Sequence, residues 1–138
     1  MPTYLADKSA LTRQETRQEV RTALEPLFID GEIAICGIVD LEILYSATTP
    51  DGYRSAARVM QGMPRIGIDE ACVRRALEVQ AMLAERSQHR GVSLPDLLIA
   101  ACAELAQLTV LHYDSDFDLI ASMTDQPTHW VVPRGSVS

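Results

Sequence analysis

Apolar residues recur along this chain in two rhythms. Thr3–Ala6, Glu32–Cys36, Leu108–Tyr113 and His129–Val132 are short runs in which apolar residues are contiguous rather than alternating. That is the pattern of strands covered on both faces. The intervening stretches follow a helical period. Glu15 to Phe28 carries Val20, Ala23, Leu24, Leu27 and Phe28 as one stripe with arginines opposite, which predicts an amphipathic helix, and Asp30-Gly31 breaks it. Val39 to Ala47 reads as a helix stopped before Pro50, and Tyr53 to Gln61 as a polar helix closed by Gly62 and Pro64. Arg65 to Ile68 is a brief strand or an extended link. Asp69 is placed to cap a long helix whose apolar positions are Cys72, Ala76, Val79 and Leu83. Leu94 to Leu105 is apolar on nearly every face, as expected of a helix in the middle of a fold. Phe117 to Met123 makes one more short helix, while Asp7-Lys8-Ser9 and His89–Gly91 read as turns. Strands and helices in this order predict an α/β protein with a parallel sheet covered by helices on both faces.

Length and composition narrow the picture. A chain of 138 residues fits one domain that buries a core without disulfides or a structural metal. That domain is expected over residues 1–133, with a C-terminal tail at 134–138; the end "VVPRGSVS" resembles a tag scar but runs on from the last strand and is read as native. Cys36, Cys72 and Cys102 are odd in number with no C-x-x-C pair, so they are expected to be small buried side chains in a reducing compartment. His89, His112 and His129 are too scattered for a histidine metal site. Neither a membrane-length apolar segment nor a basic-then-apolar leader pattern is present, so no membrane is expected and a cytoplasmic location is the default. The net charge of −7 argues against non-specific coating of nucleic acid. It leaves nucleic acid open as a substrate if the acids gather where divalent metals bind. Arg13/Arg17/Arg21 and Arg54/Arg58 are either phosphate contacts or solvated helix faces.

The candidate chemistry starts at "LHYDSDFDLI", where Asp114, Asp116 and Asp118 follow directly on an apolar strand. Two carboxylates about 4 Å apart repel by roughly 4 kcal/mol at an effective dielectric near 20. Either the three diverge into water and cap the next helix, or a cation lies among them. In an open α/β sheet the reactive cleft lies beyond the carboxyl ends of the strands. Asp7 follows the first strand, Asp40 and Glu42 the second, and Asp114 and Asp116 the strand at 108–113; Asp96 opens the buried helix. Each has an alternative role. Asp7 fits an N-cap. Ser93-Leu94-Pro95-Asp96 fits a capping box with Asp96 reaching back to the serine amide. Asp114 or Asp116 fits a cap for the helix at Phe117, Asp118 a solvated first-turn acid, and Asp40 a helix-dipole partner. Glu42 lies within an otherwise apolar stretch and resists such a reading. Caps do not explain the whole set, and an oxygen-only cluster suits Mg²⁺ or Mn²⁺ rather than zinc.

The segments "YLADKSAL", "VDLEIL", "SLPDLLIAACA" and "LTVLHYDSDFDLIA" together resemble the PIN domain, and specifically the VapC-type ribonuclease toxins of toxin–antitoxin pairs. Each segment alone is weak; the four in order span nearly the whole chain. The resemblance implies a three-layer α/β/α fold around a short parallel sheet. It implies a metal-dependent endoribonuclease that hydrolyses structured RNA, such as tRNA or rRNA loops, by metal-activated water. The catalytic acids would be Asp7, Glu42, Asp96, Asp114 and Asp116, with Asp7, Asp96 and Asp114 holding Mg²⁺ (or Mn²⁺), and Ser9 and Ser115 hydrogen-bonding behind them. A homodimer and a VapB-type antitoxin are the implied partners. Lys8 departs from the family pattern, which often has threonine there. The alternatives are a PIN-domain RNA-processing nuclease that is not a toxin, a phosphoacceptor receiver module, and a PIN-like binding module without catalysis. The receiver would need a lysine after a late strand, and Lys8 is the only lysine. The non-catalytic module would be expected to have lost an acid, and none is missing.

Overall fold

The computed structural model describes residues 2–138. Five strands, β1 (Tyr4–Ala6), β2 (Ile33–Cys36), β3 (Arg65–Ile66), β4 (Thr109–His112) and β5 (Thr128–Trp130), form one sheet in the order β3-β2-β1-β4-β5. Every pairing is parallel. The helices are α1 (Lys8–Leu11), α2 (Gln18–Ile29), α3 (Gly37–Tyr45), α4 (Pro50–Gln61), α5 (Glu70–Glu85), α6 (Leu94–Ala106) and α7 (Asp116–Thr124). Contiguous apolar strands predict burial on both faces, and Ile33 to Cys36 and Val110 to Leu111 are all at most 1% exposed. The α/β architecture expected from the sequence is the one observed.

The chain leaves β1 for β2 and β3 on one side, then crosses through α5 and α6 to place β4 on the other side of β1. The order therefore reverses between β1 and β4, which pair Tyr4 with Thr109, Leu5 with Val110 and Ala6 with Leu111. A crevice opens beyond the strand ends at such a reversal, and Asp7 and Asp114 follow those two strands. The apolar helix α6 packs on α5, α7, β1, β4 and α3 and buries Leu97, Ile99, Ala100, Ala101, Cys102 and Ala103. Its first turn is thereby carried into the crevice.

Several boundaries differ from the sequence expectation, each for a local reason. The polar turn expected at Asp7–Ser9 is the start of α1, because the Asp7 side chain accepts from the Ser9 amide and caps it. A 3₁₀ turn at Thr12–Glu15 follows, so α2 begins at Gln18 rather than Glu15. Helix α4 begins at Pro50, with Thr49 accepting from the Gly52 amide; the proline expected to mark a stop occupies the first helical position, where its missing N–H costs nothing. The cysteines are free and buried, as expected. Among the described residues no helix is long and apolar enough to cross a membrane.

Candidate metal centre

Three carboxylates from three elements meet at the strand reversal. Asp7 after β1, Asp96 in the first turn of α6 and Asp114 after β4 each present an oxygen, and these oxygens lie within 4.8 Å of one another. Asp7 and Asp96 are buried and Asp114 is half-buried.

Local hydrogen bonding aims each side chain. Asp7 Oδ2 accepts from the Ser9 amide at 3.0 Å, while Oδ1 is buried with no partner. Ser9 Oγ accepts from the Tyr113 amide at 2.8 Å and so ties α1 to the end of β4. The Asp114 amide donates to His112 Nδ1 at 3.1 Å, and Asp114 Oδ1 accepts from the Asp116 amide at 2.9 Å. The choice between cap and cradle was never exclusive for these two residues. One carboxylate oxygen organises the following helix turn and leaves the other for a cation.

Asp96 resolves differently. Ser93 Oγ accepts from the Asp96 amide at 3.2 Å, as an N-cap should. The reciprocal bond expected from Asp96 is made instead by Asp116, whose Oδ2 accepts from the Ser93 amide at 3.1 Å. Asp116 takes over the capping role from across the crevice, and the Asp96 carboxyl is released into it.

The remaining predicted residues fall around this centre. Glu42 reaches it from α3 and lies in the field of Asp7 and Asp114; its Oε2 is 3.4 Å from Lys8 Nζ, and its Oε1 is buried without a partner. Ser115 is exposed and its side chain caps nothing, so the supporting role expected of it has no contact behind it. Asp40 turns away to pair with Arg65. Asp118 is not merely solvated: it accepts from Trp130 Nε1 at 3.1 Å and lies 3.7 Å from Arg134. Arg13 stacks 4.5 Å from the Tyr113 ring centroid and donates to the Ser9 carbonyl, so it braces the centre rather than facing solvent. Periodicity offers no signal for His112 or Arg13, since both act through contacts made only in the fold.

Electrostatics mark the centre as unbalanced without a cation. Burial, then the negative charge of Asp7, then the neighbouring Asp116 and Asp114 push the Asp96 carboxyl up to about 9. Burial raises Asp7 as well, against the Ser9 hydrogen bonds that favour its charged form. Burial and then Asp7 raise Glu42, with Lys8 opposing. Crowded carboxylates in low dielectric retain protons unless a positive charge replaces them. An all-oxygen donor set with unpartnered buried oxygens fits a hard divalent cation such as Mg²⁺ or Mn²⁺.

Comparison with known proteins identifies the family. Residues 4–122 match the family model described as the PIN domain. The chain is 46% identical over 134 residues to Ribonuclease VapC51 of Mycobacterium tuberculosis, covering 97% of this chain and 96% of that protein. It is 42% identical over 133 residues to Ribonuclease VapC2 of the same species, covering 95% and 94%. In fold it is similar to a toxin–antitoxin complex from Klebsiella pneumoniae, with a TM-score of 0.71 and 22% identity over 94% of this chain and 98% of that one. A DNA-bound VapBC from Salmonella typhimurium gives a TM-score of 0.74 at 16% identity, over 96% and 100%. The chain belongs to the PIN-domain family, among its VapC ribonucleases.

Proposed function

We propose that this chain is the ribonuclease toxin of a toxin–antitoxin pair, an endonuclease that hydrolyses structured RNA with divalent metal held by Asp7, Asp96 and Asp114. The observation that carries the reading is the meeting of those three carboxylates at the strand reversal. The relatives named as VapC ribonucleases support the activity and favour a toxin over a processing nuclease. Fold likeness to chains solved as toxin–antitoxin complexes supports a VapB-type antitoxin as partner. Exposed Leu77 and Leu94 beside Val73 and Leu98 suit a homodimer, and a cytoplasmic RNA such as a tRNA or rRNA loop suits an enzyme that reads splayed bases and loop shape.

A bound divalent ion supplies charge neutralisation at a phosphoryl oxygen and a more acidic water. The protein supplies the rest. Ser9 and the Ser9–Tyr113 bond keep Asp7 in register with β4. His112 holds the Asp114 backbone, and the Ser93 cap fixes the first turn carrying Asp96. Glu42 and Asp116 flank these three, each restrained by one bond, to Lys8 and to the Ser93 amide. Their role in the proposed reaction is to accept hydrogen bonds from the attacking water.

Incubating total cellular RNA with the protein in Mg²⁺, Mn²⁺ or chelator, and mapping the fragment ends, tests the reading. Discrete cuts are expected with metal only, and none with Asp7→Asn or Asp96→Asn. Equal cutting in chelator, or by Asp7→Asn, would overturn it. Growth arrest on expression, absent in Asp7→Asn, separates a toxin from a processing nuclease.

A further inference from the structure

Lys8 is the only lysine in the chain, and it stands at the first position of α1, directly after Asp7. Its ammonium lies 3.4 Å from Glu42 Oε2, and the side chain is half exposed. Among the described residues this is the one salt bridge that reaches any of Asp7, Glu42, Asp96, Asp114 or Asp116; the others join Asp40, Asp51, Glu78, Glu104 or Asp118 to arginines. Arg13, the next cation along the chain, in the 3₁₀ turn after α1, is committed to the Ser9 carbonyl and the Tyr113 ring.

Glu42 is thus set apart from the other acids. It is outside the three-carboxylate set whose oxygens share one small volume, yet it lies in the field of Asp7 and Asp114. A second divalent ion held by Glu42 would sit about 2.0–2.1 Å from its carboxylate oxygen if it were Mg²⁺. An ion there would stand within a few ångströms of the ammonium, like charge against like charge.

We propose that the Lys8 ammonium takes the place of a second divalent ion at Glu42, so that each chain holds a single ion on Asp7, Asp96 and Asp114. This rests on the metal-dependent reading above. Lys8 then supplies the second positive charge that an incoming phosphate meets, from a side chain that is exposed enough to reach it.

Titration of the full chain with Mn²⁺, followed by calorimetry and by electron paramagnetic resonance of free Mn²⁺, tests the proposal. Wild type is expected to bind one ion, and Lys8→Arg one ion. Lys8→Met, which keeps the length and loses the charge, is expected to bind a second ion. It should also hold the first about three- to tenfold more tightly, the range for losing one partly screened neighbouring charge. Two ions in both wild type and Lys8→Met, or a single ion of unchanged affinity in Lys8→Met, would overturn the proposal while leaving the metal-dependent reading intact. Absence of Mn²⁺ binding by wild type, or undiminished binding by Asp96→Asn, would overturn both.

Discussion

Asp96 is the residue on which burial and like charge act together, and its behaviour with pH follows from them. Its carboxyl is pushed up to about 9 in the folded chain, against about 3.9 for an unperturbed aspartate. The folded state therefore holds a proton that the unfolded state has released, and metal-free stability falls as pH rises through that window. His112 acts oppositely, since burial lowers its pKa to about 4: its contribution is present above about 6.5 and is lost in acid. Above pH 7 His112 is neutral in both states and its effect drops out, leaving Asp96 together with the other raised carboxyls, Asp7 and Glu42. Thermal melts in EDTA are expected to show the melting temperature dropping between pH 7 and 9, with a flatter profile in Asp96→Asn. At pH 8 that variant should be as stable as wild type or more so; a marked loss would mean that Asp96 serves the fold rather than an ion. His112 carries a second expectation. Its Nδ1 receives the Asp114 amide while its ring packs 5.0 Å from Phe117 and 4.9 Å from Trp130. His112→Leu keeps the apolar packing and removes the acceptor, a loss of about 1 kcal/mol in positioning Asp114. Mn²⁺ affinity measured calorimetrically should fall several-fold with the fold retained.

At the scale of elements, the two ends of α6 are held by unequal means. Its N-terminus is tied by Ser93, whose hydroxyl caps the Asp96 amide and whose own amide is taken by Asp116. Ser93→Ala should cost about 1 kcal/mol of stability by urea unfolding, the usual worth of such a cap, and should also lower RNA cleavage because Asp96 rides on that turn. Its C-terminus ends at Gln107 with φ 59°, in the left-handed region. The side chain there is exposed, so Gln107→Gly should relieve strain and raise the urea midpoint by up to about 1 kcal/mol in stability without altering cleavage. The stop at Asp30-Gly31 and the cap at Asp69 were legible because they rest on local backbone chemistry. The start of α2 was not. Arginines on one side of an apolar stripe continue back through Arg17 and Arg13, and only the Arg13 contacts with Ser9 and Tyr113 show where one element gives way to another.

For the whole molecule, a cation that binds only the folded chain adds stability as its concentration exceeds its dissociation constant, about 2.7 kcal/mol at a hundredfold excess. Because it displaces protons from Asp96 and Asp7, that gain should grow with pH. Mn²⁺ is expected to raise the melting temperature more at pH 8 than at pH 6, and to do so little in Asp7→Asn, whose asparagine still caps α1. The tail also belongs to the molecule's packing: Tyr113 Oη donates to the Val137 carbonyl at 2.8 Å and Val137 packs against the core. The amino-acid sequence alone determined the α/β class, the parallel sheet and the acids that follow its strands, because contiguous apolar runs, helical stripes and caps are written in neighbouring residues. Only the tertiary structure decided which acids share one volume and what restrains each of them. Asp96 or Asp116 could each have capped Ser93, and Asp40 or Glu42 could each have turned inward from α3. Those choices depend on contacts between residues some tens of positions apart, such as Ser93 with Asp116, Arg65 with Asp40 and Lys8 with Glu42, and chain closure alone sets such distances.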